Sequence, residues 1–143
     1  MPTVRFAFTP APMHVRTARL VAASVAQQSG LNGETLSEIR QAAGEACSRA
    51  VARHRRHDVH DLVRMKLAIG ERFVTEVADF APVTRKTVLT AGAEGPELVA
   101  NPTDEDVLTE EVALTLLGGL VADLQVIQAD DGIGTIVRMA WPL

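Results

Sequence analysis

Apolar and polar residues follow two different periods along this chain, and these periods predict where its strands and helices lie. An alternation of period two, typical of half-buried strands, occurs in five short stretches. The predicted strands cover residues 3–8, 63–69, 72–79, 124–127 and 133–141. Turn residues at 70–71 and 130–132 join the last four strands into two antiparallel hairpins.

Helical periodicity, with apolar residues three and four positions apart, fills three of the remaining stretches. The predicted helices cover residues 13–28, 34–57 and 107–122. Gly30 suits the end of the first helix, and the second can be capped by Asn32 or by Thr35, the latter in a capping box with Glu38. Because helices and strands do not alternate one by one, we predict the α+β class, a two-layer sandwich with a mixed or antiparallel sheet and helices on one face.

The helix predicted at residues 34–57 has two distinct faces. Its apolar residues form one stripe, which we expect to be buried. Glu45, Arg49, Ala52 and Arg56 lie nearly opposite this stripe, so we expect them to face solvent, a ligand or a partner. Glu45 precedes Arg49 by one turn, the arrangement of an i,i+4 ion pair that adds about 0.3 kcal/mol to an isolated helix.

Residues 80–106 contain three prolines, two glycines and no sustained period. Such a long irregular stretch inside a small domain is typical of functional lids and disordered loops, and we predict a lid-like loop here. The 143 residues, 47% of them hydrophobic, fit one domain over residues 1–143 with a core of its own. The one cysteine, Cys47, lies on the apolar stripe and is predicted to be a small buried side chain.

No part of the sequence has the pattern of a membrane segment. The longest uncharged apolar run, residues 112–122, is shorter than the roughly 20 residues that span a bilayer. The N-terminus also lacks the basic-then-apolar pattern of a secretion signal. We therefore expect a cytoplasmic protein without membrane contact.

The net charge of −4 conceals an asymmetry between the two halves of the chain. Residues 1–72 carry 11 Lys and Arg against 6 Asp and Glu, whereas residues 73–143 carry 3 against 12. Halves of opposite sign can attract each other within the fold or present patches to charged partners. The acidic total disfavours direct binding of nucleic acid.

A cluster of histidines and arginines lies around the end of the central helix. His54, His57 and His60 are three residues apart, but their spacing fixes no fourth ligand, so we predict a solvated helix end and no metal site. The arginines of residues 53–56 have no interleaved aromatic residues. They suit an anionic protein surface better than nucleic acid.

Four local motifs carry a resemblance to a known family. They are Glu45-Ala46-Cys47-Ser48-Arg49-Ala50, Thr75-Glu76-Val77-Ala78-Asp79, residues 120–126, and Gly132-Ile133-Gly134-Thr135-Ile136-Val137. Together with the order of elements, they make nearly the whole chain similar to the anti-sigma-factor serine/threonine kinases, the small members of the GHKL (Bergerat-type) ATPase superfamily.

This resemblance implies a role for each motif residue. Glu45 would be the catalytic base that acts on a partner's serine hydroxyl, and Asp79 would contact the adenine amino group. Gly134 and Thr135 would border the nucleotide pocket. Arg49 occupies the position of the asparagine that holds Mg²⁺ in the family. The ligands implied are therefore ATP and Mg²⁺.

The sequence departs from the family at three places that serve the nucleotide. The guanidinium of Arg49 cannot donate a lone pair to Mg²⁺, although it could neutralise phosphate. Pro82, in the segment that follows the strand-end aspartate, lacks an amide donor. In the second glycine box, Glu111 and Ala113 replace the two glycines, and a carboxylate repels triphosphate. We therefore expect weak or no ATP binding and no cofactor.

The leading hypothesis is an anti-sigma-factor-like regulator that binds a sigma factor, a STAS-domain antagonist, or both. The resemblance implies a homodimer and a partner surface on the early strand and helix, with Arg5, Arg16 and Arg19 meeting acidic residues. The alternative is an active serine kinase that phosphorylates the STAS-domain protein, with Glu45 as base. A pocket for another small ligand is a third hypothesis.

Overall fold

The alternation of apolar and polar residues places one face of a five-stranded antiparallel sheet against a layer of helices. In the computed structural model, residues 2–83 and 105–143 are described, with only the backbone described at 105–108. Most of the loop predicted at residues 80–106 lies outside this part of the chain. The elements are β1 (Thr3–Phe8), a 3₁₀ turn (Pro12–His14), α1 (Val15–Gln28), α2 (Gly33–Arg56), β2 (Val63–Ile69), β3 (Arg72–Ala78), α3 (Glu105–Leu120), β4 (Asp123–Gln128) and β5 (Thr135–Pro142).

The spatial order of the strands is β1-β2-β3-β5-β4, and every neighbouring pair is antiparallel. Both predicted hairpins are present, and β1 and β4 form the edges of the sheet. This order brings the end of β3 beside the start of β5, where Ala78 pairs with Ile136. The predicted α+β two-layer sandwich is confirmed.

The core lies between one face of the sheet and the helix layer. Met65, Val77 and Val137, from three neighbouring strands, are almost fully buried on this face. The helices meet them largely with alanines, including Ala22 of α1 and Ala43 of α2, neither of which is exposed. Small side chains at these positions allow helices to pack closely.

Cys47 lies in this core and is fully buried, as predicted from the apolar stripe. Burial raises the pKa of its thiol to about 12 because the charged thiolate cannot be solvated there. The side chain therefore acts as a small apolar residue.

The C-terminus of α1 and the N-terminus of α2 show which of the predicted capping residues are used. Gly30 follows α1 with a positive φ of 92°, and the amide of Leu31 donates back to the carbonyl of Ala26. The N-cap residue of α2 is Asn32, although its side chain makes no capping hydrogen bond. The capping box at Thr35 was a wrong prediction, because the Glu38 carboxylate instead accepts a hydrogen bond of 2.8 Å from the Trp141 indole.

The expectation that Arg49 and Ala52 point away from the buried layers is also wrong. Arg49 is only 4% exposed and Ala52 only 2%. The reason is that α3 packs along α2, so this side of the central helix is covered by a second element.

No helix in the described part of the chain is both long and apolar enough to cross a bilayer.

Candidate functional site

Five polar side chains form a buried cluster between α2, α3 and the facing ends of β3 and β5. Its members are Arg49, Arg53, Asp79, Glu110 and Thr135, each less than one-tenth exposed. Burying charged groups costs several kcal/mol per ion unless they are paired and hydrogen bonded. The contacts among these five side chains are therefore what makes their burial tolerable.

Asp79 is the centre of the cluster. Its Oδ2 accepts a hydrogen bond from the Thr135 hydroxyl and lies 3.5 Å from Arg49 Nη1 and 3.0 Å from Arg53 Nε. The contact with Arg53 Nε is an ion pair without hydrogen-bond alignment. Arg49 Nη1 also donates to Thr135 Oγ1 at 2.9 Å. Asp79 therefore has two cationic partners, both from α2.

Arg53 connects the end of β3 to α3. Its Nη2 donates to the carbonyl oxygens of Ala81 at 3.1 Å and Pro82 at 3.2 Å. Its Nη1 lies 3.4 Å from Glu110 Oε1, and Arg56 Nη1 donates to the other carboxylate oxygen at 2.8 Å. Glu110 thus anchors α3 to two successive turns of α2.

Burial and ion pairing shift the pKa values of these groups in opposite directions. Burial lowers the pKa of Arg49 to about 10, while Asp79 counteracts the shift, so the guanidinium remains charged near neutral pH. Burial raises the pKa of Glu110, against the opposing effect of Arg56 and Arg53. Two arginines and two carboxylates balance inside the cluster, and Arg56 adds a positive charge at its edge.

The segment after Asp79 has no free amide to offer a ligand. The Phe80 N–H donates to His54 Nε2 at 2.9 Å, and the Ala81 N–H donates to Asp79 Oδ1 at 3.1 Å. Pro82 has no amide hydrogen, and the Val83 N–H donates to the Gly132 carbonyl at 2.9 Å. All the backbone donors of residues 80–83 are therefore used within the fold.

The sequence model of the histidine kinase-like ATPase domain family matches residues 8–141 of this chain. The chain belongs to this family. Its superfamily is the GHKL ATPases, in agreement with the resemblance at that level. No curated protein matches the sequence.

In this ATPase-family domain, the side chains that the resemblance assigns to the nucleotide already have partners. Asp79, expected at the adenine, contacts Arg49 and Arg53, and Thr135, expected at the edge of the pocket, binds Arg49. Glu111 and Ala113, aligned with the second glycine box, lie well inside α3, where amides bond within the helix. Arg49 supplies no oxygen for Mg²⁺. The described residues do not fit the ATP and Mg²⁺ contacts of the resemblance.

Gly134 is required by the close approach of β5 to the end of β3. Its φ is +93°, and a Cβ at this position would lie only 2.3 Å from the Asp79 carbonyl oxygen. Gly132 also has a positive φ, +74°, but a Cβ there would meet nothing within 4 Å. Gly134 thus allows Thr135 to reach Asp79.

Glu45 lies apart from the cluster, in a groove between α1 and α2 that Arg19, Arg40 and Ser48 also line. Desolvation raises the pKa of its carboxyl group, and the charge of Arg19 partly opposes the shift. The expected ion pair between Glu45 and Arg49 is absent, because Arg49 turns toward Asp79 and Thr135. The candidate base and the candidate nucleotide contacts therefore occupy different places.

The predicted partner residues also separate. Arg16 and Arg19 line a cavity on the helix layer. Arg5 pairs in register with Lys66 and projects from the opposite face of the sheet, because Phe6 and Phe8 alternate with it toward the core. The three arginines do not share one continuous surface.

Sequence reasoning missed Arg53 and Glu110 as members of the cluster. Arg53 follows Arg49 by four residues and Arg56 follows by seven, so the helical period places all three on one side of α2. That spacing could have indicated that Arg53 belongs with Arg49. No sequence pattern indicated Glu110, because only the packing of α3 on α2 brings it to the arginines.

His54 is fully buried beside the cluster and is held as a neutral ring. The Phe80 N–H can only donate, so Nε2 must be the unprotonated acceptor, and Nδ1 donates to the Asp61 carbonyl at 3.0 Å. Burial lowers the pKa of His54, with Asp79 and Asp61 acting in the opposite direction. His60, by contrast, is exposed and contacts Asp58.

The two glycines of the last hairpin provide a matched pair of substitutions. We expect Gly134→Ala to lower the free energy of unfolding by at least about 2 kcal/mol, because backbone strain and a clash with Asp79 combine. Gly132→Ala introduces the strain alone and is expected to cost about 1 kcal/mol. Chemical denaturation measures both, and equal losses would contradict the close approach at Gly134.

The neutral state of His54 predicts a dependence of stability on pH. Because its pKa is lower in the folded than in the unfolded chain, its contribution is complete above about pH 6.5 and is lost as pH falls through the folded pKa. One such group changes the free energy of unfolding by at most about 1.4 kcal/mol per pH unit. Denaturation at pH 7.5 and 5.5 should show a smaller difference in His54→Gln than in the wild type. The control His60→Gln should retain the wild-type difference, and an unchanged difference in His54→Gln would contradict the assignment.

Proposed function

We propose that this domain is an anti-sigma-factor-like regulator that acts by binding a protein partner, with ATP binding weak or lost. The observation that carries the proposal is the bonding of Asp79 and Thr135 to Arg49 and Arg53. Adenine recognition at Asp79 would require these arginines to leave, stranding a buried carboxylate and two cations. Removing one partner of a buried ion pair costs about 3–5 kcal/mol, a large part of what a nucleotide could return on binding.

The partner proposed is a sigma factor or a STAS-domain antagonist, which follows from the resemblance. Support on the helix layer comes from Arg16 and Arg19, which line an open cavity and suit an acidic protein surface. Arg5, on the far side of the sheet, would reach the same partner only if the partner wrapped around the edge strand β1. A homodimer in the cytoplasm completes the proposal.

A second candidate function, the active serine kinase, is favoured by one observation. Glu45 is retained, only partly buried, and its raised pKa makes it a better proton acceptor than an ordinary glutamate. It borders an open groove on the helix layer rather than the buried cluster. A partner's serine could approach this groove directly.

The two candidate functions predict different effects of an adenine nucleotide on the melting temperature of the domain. We expect Mg-ATP to raise the melting temperature no more than inorganic tripolyphosphate at equal concentration and ionic strength. A nucleotide present at 100 times its Kd would stabilise the fold by about 2.7 kcal/mol, which thermal denaturation readily detects. A larger shift with ATP, or transfer of labelled phosphate to a STAS-domain protein, would overturn the proposal in favour of the kinase.

Charge reversal tests the partner surface. Arg16→Glu should weaken binding to the cognate sigma factor or STAS-domain protein about tenfold or more at low salt, with the melting temperature nearly unchanged. Arg19→Glu should act alike, although Arg19 also packs over Gly44 and can affect stability. Binding is measured by calorimetry against the sigma factors and STAS-domain proteins of the same genome.

The control for this test is Arg64→Glu, which makes the same charge change on the exposed face of the sheet. It should leave the affinity unchanged when the partner contacts the helix layer alone, because Arg64 lies near Arg5 on the sheet face. If Arg5→Glu weakens binding together with Arg16→Glu, the partner wraps around β1. A complex unaffected by changes at Arg16 and Arg19 would refute this surface.

A further inference from the structure

The cavity that Arg16 and Arg19 line is separate from the Asp79 cluster and opens on the outer side of α2, between α1 and α3. Its volume is about 550 Å³. Four arginines line it: Arg16 and Arg19 of α1, and Arg40 and Arg55 of α2. Arginine is the only charged residue type among its lining residues, so the cavity is strongly positive in a protein whose net charge is −4.

Two of these arginines have no partner inside the described part of the chain. Neither Arg16 nor Arg40 forms an ion pair or a hydrogen bond with any residue described. Glu45 is an acid that lies in the adjoining groove, where it interacts with Arg19. Among the described residues, Arg16 and Arg40 therefore have no counter-charge, and a bound anion would offset their repulsion by the neighbouring guanidinium groups.

The remaining lining residues resemble those of a small-molecule site. The Ser48 hydroxyl can donate or accept a hydrogen bond, and Leu20 and Val51 offer apolar surface. The volume lies within the range of roughly 300–1,000 Å³ typical of ligand pockets. A few polar groups at the edge of an apolar floor are what such pockets use to orient a ligand.

The chemistry of the arginines selects the class of ligand. A guanidinium presents planar, paired donors that match the oxygens of phosphate, and several together favour a dense negative charge. We propose that this cavity binds a small phosphate-bearing anion, with its phosphate groups on Arg16, Arg19 and Arg40 and any organic part on Leu20 and Val51. This site is distinct from the cluster of Asp79, Arg49 and Arg53, with which it shares no residue.

Such a ligand would also regulate partner binding, a consequence that rests on the proposed function. Arg16 and Arg19 belong both to this cavity and to the proposed partner surface. Phosphate bound there would neutralise the charges that attract an acidic partner. The ligand and the partner would therefore compete.

Calorimetric titration with inorganic pyrophosphate, without Mg²⁺ and at low ionic strength, tests the site itself. Pyrophosphate lacks adenine, so the result is independent of nucleotide recognition at Asp79 and of any protein partner. We expect saturable binding that weakens as salt is added. Arg16→Gln and Arg40→Gln should each weaken it about tenfold or more, because each removes charge-assisted hydrogen bonds.

Arg64→Gln, which removes an exposed arginine from the sheet face, is the matched control and should bind pyrophosphate like the wild type. Circular dichroism verifies that each variant is folded. Three results would overturn the proposal: no pyrophosphate binding by the folded wild type, equal binding by the Arg16 and Arg40 variants, or binding of an acidic oligoglutamate peptide in place of pyrophosphate. The last result would assign the arginines to a protein partner alone.

Discussion

The rest of the structure depends on compensating the buried charge of Asp79. Its carboxylate lies at the end of β3, 2% exposed, and is compensated by Arg49 and Arg53 from successive turns of α2. This pairing joins α2 to the end of β3 in the sheet. Arg53 and Glu110 also join α3 to α2. A buried ion pair adds little net stability over apolar packing, but losing one partner is costly, so the pairing acts mainly as a constraint on geometry.

The same pairing involves side chains to which the resemblance assigns nucleotide contacts. Membership of the histidine kinase-like ATPase domain family accounts for the sheet and the layer of helices. Function depends on the site built on that fold. In this chain, side chains and backbone amides of residues 79–83 that could meet a nucleotide are bonded to protein groups. Two arginines of α2 occupy the side of Asp79 that faces Thr135 and α3.

The outer side of the helix layer presents charged side chains that take no part in the buried cluster. Glu45, Arg16 and Arg40 remain accessible on its outer side, in two adjoining depressions. The arginines inside the cluster are neutralised by Asp79 and Glu110, whereas those on the outer side face solvent. The arginines of the cluster, both on α2, thus contact the sheet and α3, whereas Arg16 of α1 and Arg40 of α2 are exposed on the outer side.

The sequence by itself determined the strands, the hairpins and the helices, since period and turn residues report local backbone structure. The prediction that Asp79, Arg49, Gly134 and Thr135 belong to one site came from the resemblance to a family and not from the residue pattern. Only the tertiary structure decided that Arg49 turns inward to Asp79 and not to Glu45. The physical reason is that α3, more than fifty residues farther along the chain, covers that side of α2 and removes it from water. A helical pattern shows which residues share a face, but the packing of distant elements decides whether that face meets solvent, a ligand or the protein itself.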